Sequence, residues 1–186
     1  MPTKKPLSET AQWFLEDLQK TLNDFSYESG IQVVVTDRDG NLVSEVEGIQ
    51  RACKLILATE EGRIRCRDHF KMPSSLFKTK KEPIFVECYA GFASLWMPIV
   101  VRGSVIGGIV GCGKRYASKE GEDLNKKLSK LAVELGIVDK EDFIKAATDE
   151  VILVTKEEME DRIKRIKELF NILSTTAFTP LKEVFG

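Results

Sequence analysis

Histidine is almost missing from this chain: His69 is the single one in 186 residues. A Ser-His-Asp triad would have to be built around that one imidazole, and no residue order in the sequence invites it. Neither a P-loop nor a GxGxxG dinucleotide fingerprint is present. Gly107-Gly108 and Gly111-Cys112-Gly113 lie within or at the end of a strand-like run, and read as bulges or close approaches rather than phosphate cradles. No uncharged apolar stretch reaches the ~18 residues of a membrane span, and the polar N-terminus has no signal-peptide core. The expectation is a soluble cytoplasmic protein without membrane contact. Charge of one sign is also lacking, with 28 Lys and Arg against 29 Asp and Glu. That balance, spread along the chain, argues against direct nucleic-acid binding. Internal repeats and low-complexity tracts are absent, and the length suits one main domain.

What the chain does have is four cysteines, Cys53, Cys66, Cys88 and Cys112, spaced 13, 22 and 24 positions apart. None forms a Cys-x-x-Cys pair, so a shared site has to be assembled by the fold. In a reducing cytosol an even count points to free thiols, a metal site or redox chemistry before a disulfide framework. Converging thiolates are soft ligands that suit an iron–sulfur cluster or Zn²⁺. The bland alternative is four unrelated core thiols. Local context favours a site: Cys66 sits in the basic segment Arg63-Ile64-Arg65-Cys66-Arg67-Asp68-His69, which favours a thiolate. Cys88 precedes Tyr89-Ala90-Gly91, and glycines flank Cys112, permitting close backbone approach to a ligand.

Periodicity gives the elements. Ala11, Leu15, Leu18, Leu22 and Phe25 make one stripe of an amphipathic helix over 7–25. A Val-rich run, an Asp39-Gly40 turn and a more polar return run predict a β-hairpin over 31–46. Two helices follow at 49–59 and 61–80, the second broken at Pro73. Three strands at 83–88, 92–101 and 104–112 come next, the last two joined at Arg102-Gly103, with Cys88 and Cys112 at strand ends. Leu124, Leu128, Leu131 and Leu135 mark a helix with Gly136 as its C-cap, and a short helix covers 140–147. Thr155 and Glu158 have the form of a capping box opening a long helix, striped by Met159, Ile163, Ile166, Phe170, Leu173 and Ala177 and stopping at Pro180.

This order predicts an α+β fold: a five-stranded antiparallel sheet with flanking helices, in the shape of PAS and GAF sensors, and long amphipathic helices at both ends. Residues 1–154 form the sensory domain and 155–180 a signalling or dimerisation helix. The end stripes suit a homodimer through the terminal helices, and equally suit packing on the sheet of one subunit. Phe85, Tyr89, Phe92 and Trp96 lie in or near the central strands and are the candidate walls of a small-molecule pocket, or ordinary core. His69, three residues after Cys66, could replace one cysteine in a Cys₃His zinc site or support a ligand from behind. A lone histidine in such a basic run is more commonly solvent-facing or capping. Arg63, Arg65 and Arg67 read as a solvated basic face or an anion clamp.

Taken together, Cys53, Glu61-Gly62-Arg63-Ile64-Arg65-Cys66, Glu82-Pro83 leading to Glu87-Cys88-Tyr89-Ala90-Gly91, Met97-Pro98-Ile99 and Gly103-Ser104-Val105-Ile106-Gly107 resemble the PocR sensory domain over about 18–173. The resemblance implies a PAS-like sensor, proposed for the family to bind small hydrocarbon derivatives and usually joined to a DNA-binding or histidine-kinase output. Cys53, Cys66 and Cys88 match the family's cysteine positions. The strand ending here in Gly111-Cys112-Gly113 often ends in Gly-Gln in the family, so Cys112 is a departure.

The expectation is therefore a non-enzymatic sensor. Its cysteine-lined pocket takes a small-molecule ligand or a metal centre at Cys53, Cys66, Cys88 and Cys112, an iron–sulfur cluster ahead of zinc, and passes the change to the end helices. With no output domain after Gly186, a stand-alone sensor or a separate output partner is implied. Two other classes stay open: a redox enzyme or electron carrier using the same cysteines, and a metal-free structural domain with core thiols.

Overall fold

A computed structural model describes residues 6–29, 31–43, 49–77, 82–116 and 122–185. In chain order the elements are α1 (Glu9–Ser29), β1 (Gln32–Asp37), α2 (Arg51–Leu57), α3 (Glu60–Leu76), β2 (Ile84–Glu87), β3 (Ala93–Val101), β4 (Ser104–Tyr116), α4 (Glu122–Leu135), α5 (Lys140–Thr148), β5 (Leu153–Val154), α6 (Lys156–Thr176) and α7 (Phe178–Phe185). The fold is α+β and PAS/GAF-like, as expected. Four strands run antiparallel in the order β1-β4-β3-β2, and β5 joins β4.

The fifth strand is not the one the hairpin pattern implied. The turn itself forms: Asp37 accepts at its carbonyl from Gly40 N at 3.0 Å, and its own N donates to Asn41 O at 2.9 Å. Beyond it an isolated bridge joins Thr36 and Leu42, and the second half of the return run, 44–46, lies outside the described residues. Instead β5, two residues long, pairs parallel with the end of β4 through Arg115–Leu153 and Tyr116–Val154. Hydrophobic alternation cannot reveal a strand of two residues. The β3–β4 hairpin closes as expected at Arg102 and Gly103, both at positive φ, 48° and 79°, the pairing a tight primed turn requires.

β4 is four residues longer than the sequence pattern indicated, so Cys112 lies inside a strand rather than at its end. The run continues as Gly113-Lys114-Arg115-Tyr116, polar residues that would ordinarily read as loop. Lys114 and Arg115 are buried, at 2% and 5% exposure, and Arg115 donates from Nη1 to the Ala147 carbonyl at 3.0 Å, tying β4 to the end of α5.

Two further differences concern proline. α3 runs through Pro73 to Leu76, with Phe77 N bonding the Pro73 carbonyl at 2.9 Å. Near a helix end proline removes one hydrogen bond and few residues remain to be misaligned. The stretch 78–80 of the expected helix lies outside the described residues. Pro180 does not end the chain's helical structure either: α6 stops at Thr176, and Pro180 occupies the first turn of α7, where its missing N–H would have no partner. Thr155 and Glu158 form the expected capping box. Gly136, at φ 69°, ends α4, with Ile137 N reaching the Ala132 carbonyl at 2.9 Å in a Schellman pattern.

The sheet is covered on both faces. One face carries Val33, Val35, Leu95, Met97, Ile99 and Ile109 against α1, α6 and α7, which contribute Leu18, Leu22, Met159, Ile166, Phe170, Leu181, Val184 and Phe185. The stripes of both end helices are thus largely spent on the chain's own sheet, the side chain of Ile163 lying outside the described ones. Gly107 allows this: a Cβ there would stand 2.5 Å from the Thr36 carbonyl oxygen and 2.9 Å from the Phe185 ring. The opposite face presents Val34, Trp96 and Val110 to α3. Beside it, α2, α4 and α5 enclose a second core around Ile56, Phe92, Leu128, Leu135 and Phe143. No helix among the described residues is long and apolar enough to cross a membrane.

Candidate functional site: the α3 face of the sheet

Strand alternation decides which side chains meet α3. Gln32, Val34 and Thr36 of β1, Val110 and Cys112 of β4, and Ser94 and Trp96 of β3 point away from the all-apolar face. From α3, Gly62, Cys66, His69 and Pro73 follow one another at steps of four, three and four, which is a single helical stripe; Gly62, His69 and Pro73 of it are buried. Gly62 sits where α2 and α3 touch, its missing Cβ leaving room for the Ile56 carbonyl.

His69 is the clearest correction to the sequence reading. It is neither solvent-facing nor capping but buried at 8% exposure, with Nε2 3.0 Å from Ser94 Oγ. Its ring lies 5.1 Å from that of Trp96, tilted by 53°. Burial pushes the imidazole pKa below its ordinary value of 6.5, so the neutral ring is the resident form. Ser94, which is fully buried, went unnoticed in sequence; the signal was a hydroxyl inside an otherwise apolar strand, where a polar side chain needs a partner.

The four thiols, all free, come from α2, α3, the turn after β2, and β4. Cys66 Sγ lies 3.2 Å from Tyr89 Oη, and Tyr89 Oη donates to the Gly62 carbonyl at 3.3 Å. Arg65 stands over the Tyr89 ring at 5.8 Å. The Cys88–Gly91 turn is closed by Gly91 N to the Cys88 carbonyl at 2.9 Å, and Gly91 has φ 80°. Cys112 Sγ donates to Gln32 Oε1 at 3.8 Å.

Each thiol lies within electrostatic reach of the other three. Burial pushes Cys53 up to about 12, with Cys88 and Cys66 adding to the rise. Cys88 is raised to about 11, again mainly by burial, with Cys66 contributing. Cys112 is held well above its usual range by burial and then by Cys53, Cys88 and Cys66. Cys66 is raised by burial against the opposing hydrogen bond from Tyr89. The thiolate expected from its basic neighbours is therefore not favoured. Arg65 is held by Glu61 at 2.7 Å and Glu134 at 3.2 Å, and Arg63 caps the carbonyls of Leu57 and Ala58. Nor are the glycines beside Cys112 open to a ligand: a Cβ on Gly111 would stand 3.0 Å from Ile31. Among the described residues no group of three or more His, Cys, Asp or Glu side chains is gathered closely enough to hold a metal ion.

Beside this constellation, between α3 and the β2–β3 edge, opens a cavity of about 540 Å³ lined by Arg65, Asp68, His69, Met72, Leu76, Val86, Glu87, Tyr89 and Trp96. Of the four aromatic residues singled out in sequence, Tyr89 and Trp96 line it. Phe92 is buried in the neighbouring α2–α4–α5 core. Phe85, the cross-strand partner of Leu95, packs on the opposite face against the end-helix core. The Trp96 indole Nε1 is buried and finds no acceptor among the described residues.

The match to known proteins fits this architecture. The family described as the sensory domain found in PocR matches residues 14–178. The chain belongs to the PocR sensory domain family. It is similar to the regulatory protein PocR of Salmonella typhimurium, 26% identical over 110 residues, which are 59% of this chain and 36% of that protein. The alignment thus spans about a third of the relative's length. No solved structure matches. Membership of the PocR sensory domain family makes the chain a sensor domain for signalling.

Proposed function

We propose that this chain is a cytoplasmic sensor that receives a small-molecule ligand between α3 and the sheet. The observation that carries this reading is the cavity beside α3, walled by Tyr89, His69 and Trp96 together with the apolar side chains of Met72, Leu76 and Val86. A neutral imidazole locked to Ser94 gives that wall a fixed shape. The change is passed along β4, whose last residues pair with β5; one residue later Thr155 caps α6. A ligand moves this assembly only by binding two arrangements of it unequally. The output segment 155–180 then comprises α6 and the first turn of α7. Its Ile172 is exposed, as are Trp13 and Tyr27 of α1, apolar side chains suited to a second copy of the chain or a separate output protein. Native mass spectrometry of freshly isolated protein tests the ligand: a non-covalent adduct lost on denaturation is expected. Protein that carries none, and whose amide exchange in α6 no small molecule alters, overturns the reading.

The thiol constellation supports a second reading, a metal centre at Cys53, Cys66, Cys88 and Cys112, an iron–sulfur cluster ahead of zinc. The specific support is the mutual influence of all four sulfurs. Buried thiols that raise one another's pKa are those that a cation would convert to thiolates. Anaerobic purification with iron, zinc and sulfide analysis and a visible spectrum decides it; a colourless, metal-free, folded protein ends it.

A further inference from the structure

A second concavity lies off the sheet, a groove of about 890 Å³ where the end of α2 and the start of α3 meet the end of α4 and the α4–α5 turn. We propose that this groove docks a basic amphipathic segment of a separate output protein, with apolar side chains on its floor and Lys or Arg at its rim. This rests on the sensor reading above for its output step only, and not on the ligand cavity.

Leu55 and Ile64, half-buried, line the groove with the buried Leu135 and Ile137. Val133 and Val138, 60% and 98% exposed, complete its apolar surface. Apolar side chains gathered in one concavity mark an interaction site, unlike the scattered exposure found on any protein. Charge names the occupant. Glu60, Glu61, Glu134 and Asp139 are in the lining, and no lysine or arginine is. The cations nearby are already committed: Arg65 joins Glu61 and Glu134 at 2.7 and 3.2 Å, Lys130 stands 3.9 Å from Glu134, and Arg63 donates to the Leu57 and Ala58 carbonyls. Asp139 accepts from Asp142 N as the cap of α5 and keeps its charge. Glu134 lies in the last turn of α4, which holds no basic residue, so its carboxylate adds to the negative end of the helix dipole, an arrangement that a further cation relieves. Arg65, lying between Glu61 of α3 and Glu134 of α4, shows that the two walls are spaced to share a guanidinium. The same carboxylates repel anionic lipid and nucleic acid. A second copy seated by two-fold symmetry would set one acidic groove against another. A helix with apolar side chains on one stripe and Lys or Arg beside them satisfies both parts of the lining.

The full chain, labelled with ¹⁵N, is titrated at physiological salt with a helical peptide repeating Leu-Lys-Lys-Leu-Leu-Lys-Leu, with its counterpart carrying Glu for Lys, and with one carrying Ser for Leu. The first peptide is expected to shift the amide signals of Ile64, Gly136, Ile137 and Val138 saturably. The glutamate peptide should not bind, and the serine peptide should bind about five-fold more weakly or worse. Val138→Ser, at a side chain that takes no part in the folded core, should weaken the first peptide about three- to ten-fold. Glu60→Lys should weaken it about three-fold. Asp17→Lys, at an exposed position of α1, changes the net charge equally and should leave binding as it is. Shifts centred away from the groove, equal binding of the glutamate peptide, or equal losses in Asp17→Lys and Glu60→Lys overturn the docking site and leave ligand binding at the sheet untouched. Self-association of the free chain in light scattering, abolished by Val138→Ser, would give the groove to a second copy and overturn it as well.

Discussion

The two faces of the sheet are built to different rules. The face under α1, α6 and α7 is apolar at its centre, with Leu22, Val35, Met97, Ile109, Met159, Leu181 and Phe185 all at 2% exposure or less. The α3 face, cut from the same strands, carries Gln32, Ser94, the Trp96 N–H and Cys112, opposed by Cys66 and His69. The first face supplies cohesion, since apolar contacts are non-directional and accumulate with area. The second trades cohesion for directional groups and open space. A sensor needs both, a rigid side that holds the frame and a side with hydrogen bonds that can be exchanged.

The sharpest way to break the comparison is one substitution on each face. Phe185→Ala removes a ring at 1% exposure from the C-terminal helix, beside a glycine with no Cβ to fill the gap. It should cost about 3–5 kcal/mol, read as a large drop in the urea midpoint. Cys66→Ser keeps a hydrogen-bonding atom near Tyr89 and should change stability by no more than about 1 kcal/mol. Equal losses at both positions would mean that α3 contributes as much to the frame as the end helices do.

Next in size is the Ser94–His69 pair. Ser94→Ala leaves a buried ring nitrogen without its partner at a cost of about 1–3 kcal/mol. Replacing both, as in Ser94→Ala with His69→Leu, should recover much of that loss, because no unpaired polar atom remains. A double variant no better than the single one would show that the two side chains do not act as a pair.

How much of this could be read beforehand varies by residue. The stripes of α1 and α6, the capping box at Thr155 and Glu158, the Arg102-Gly103 turn and the α+β order were all legible, because each is a local signal repeated over a turn or a strand. His69 was not. The inward stripe of α3 is Gly62, Cys66, His69 and Pro73, which contains no strong hydrophobe and is invisible to hydrophobic periodicity. α7 is hidden by Pro180, because a proline reads as a helix stop unless its place in a first turn, compatible with a helix, is known. The side on which Phe85 packs follows from strand parity alone. Strand parity puts it with Leu95 on the end-helix face, whereas Trp96, one residue along β3, faces α3.

The neutral His69 gives the comparison a pH signature. Its folded-state pKa is depressed by burial, so above the ordinary value of 6.5 both folded and unfolded chains hold the neutral ring and nothing is lost. As pH falls below that value the unfolded chain takes up a proton that the folded chain refuses, and stability declines. The slope reaches at most about 1.4 kcal/mol per pH unit until the folded-state pKa is passed. Urea midpoints between pH 7.5 and 5 should show this decline, and His69→Gln should flatten it. An unchanged slope in the variant would assign the decline to carboxylates elsewhere.

The smallest effect tests whether the link between α3 and the Cys88–Gly91 turn is a hydrogen bond or only contact. Tyr89→Phe removes the hydroxyl that meets Cys66 Sγ and the Gly62 carbonyl and keeps the ring under Arg65. The ring's packing and its cation–π contact survive, so the difference isolates the hydroxyl, about 0.5–1.5 kcal/mol. Part of that belongs to Gly62, whose carbonyl lies in the first turn of α3, and part to Cys66. A double-mutant cycle with Cys66→Ala separates them: a coupling near 0.5 kcal/mol is expected. A coupling of zero would mean that the tyrosine steadies the start of α3 through Gly62 alone, leaving the Cys66 thiol free to turn toward Cys53 and Cys88.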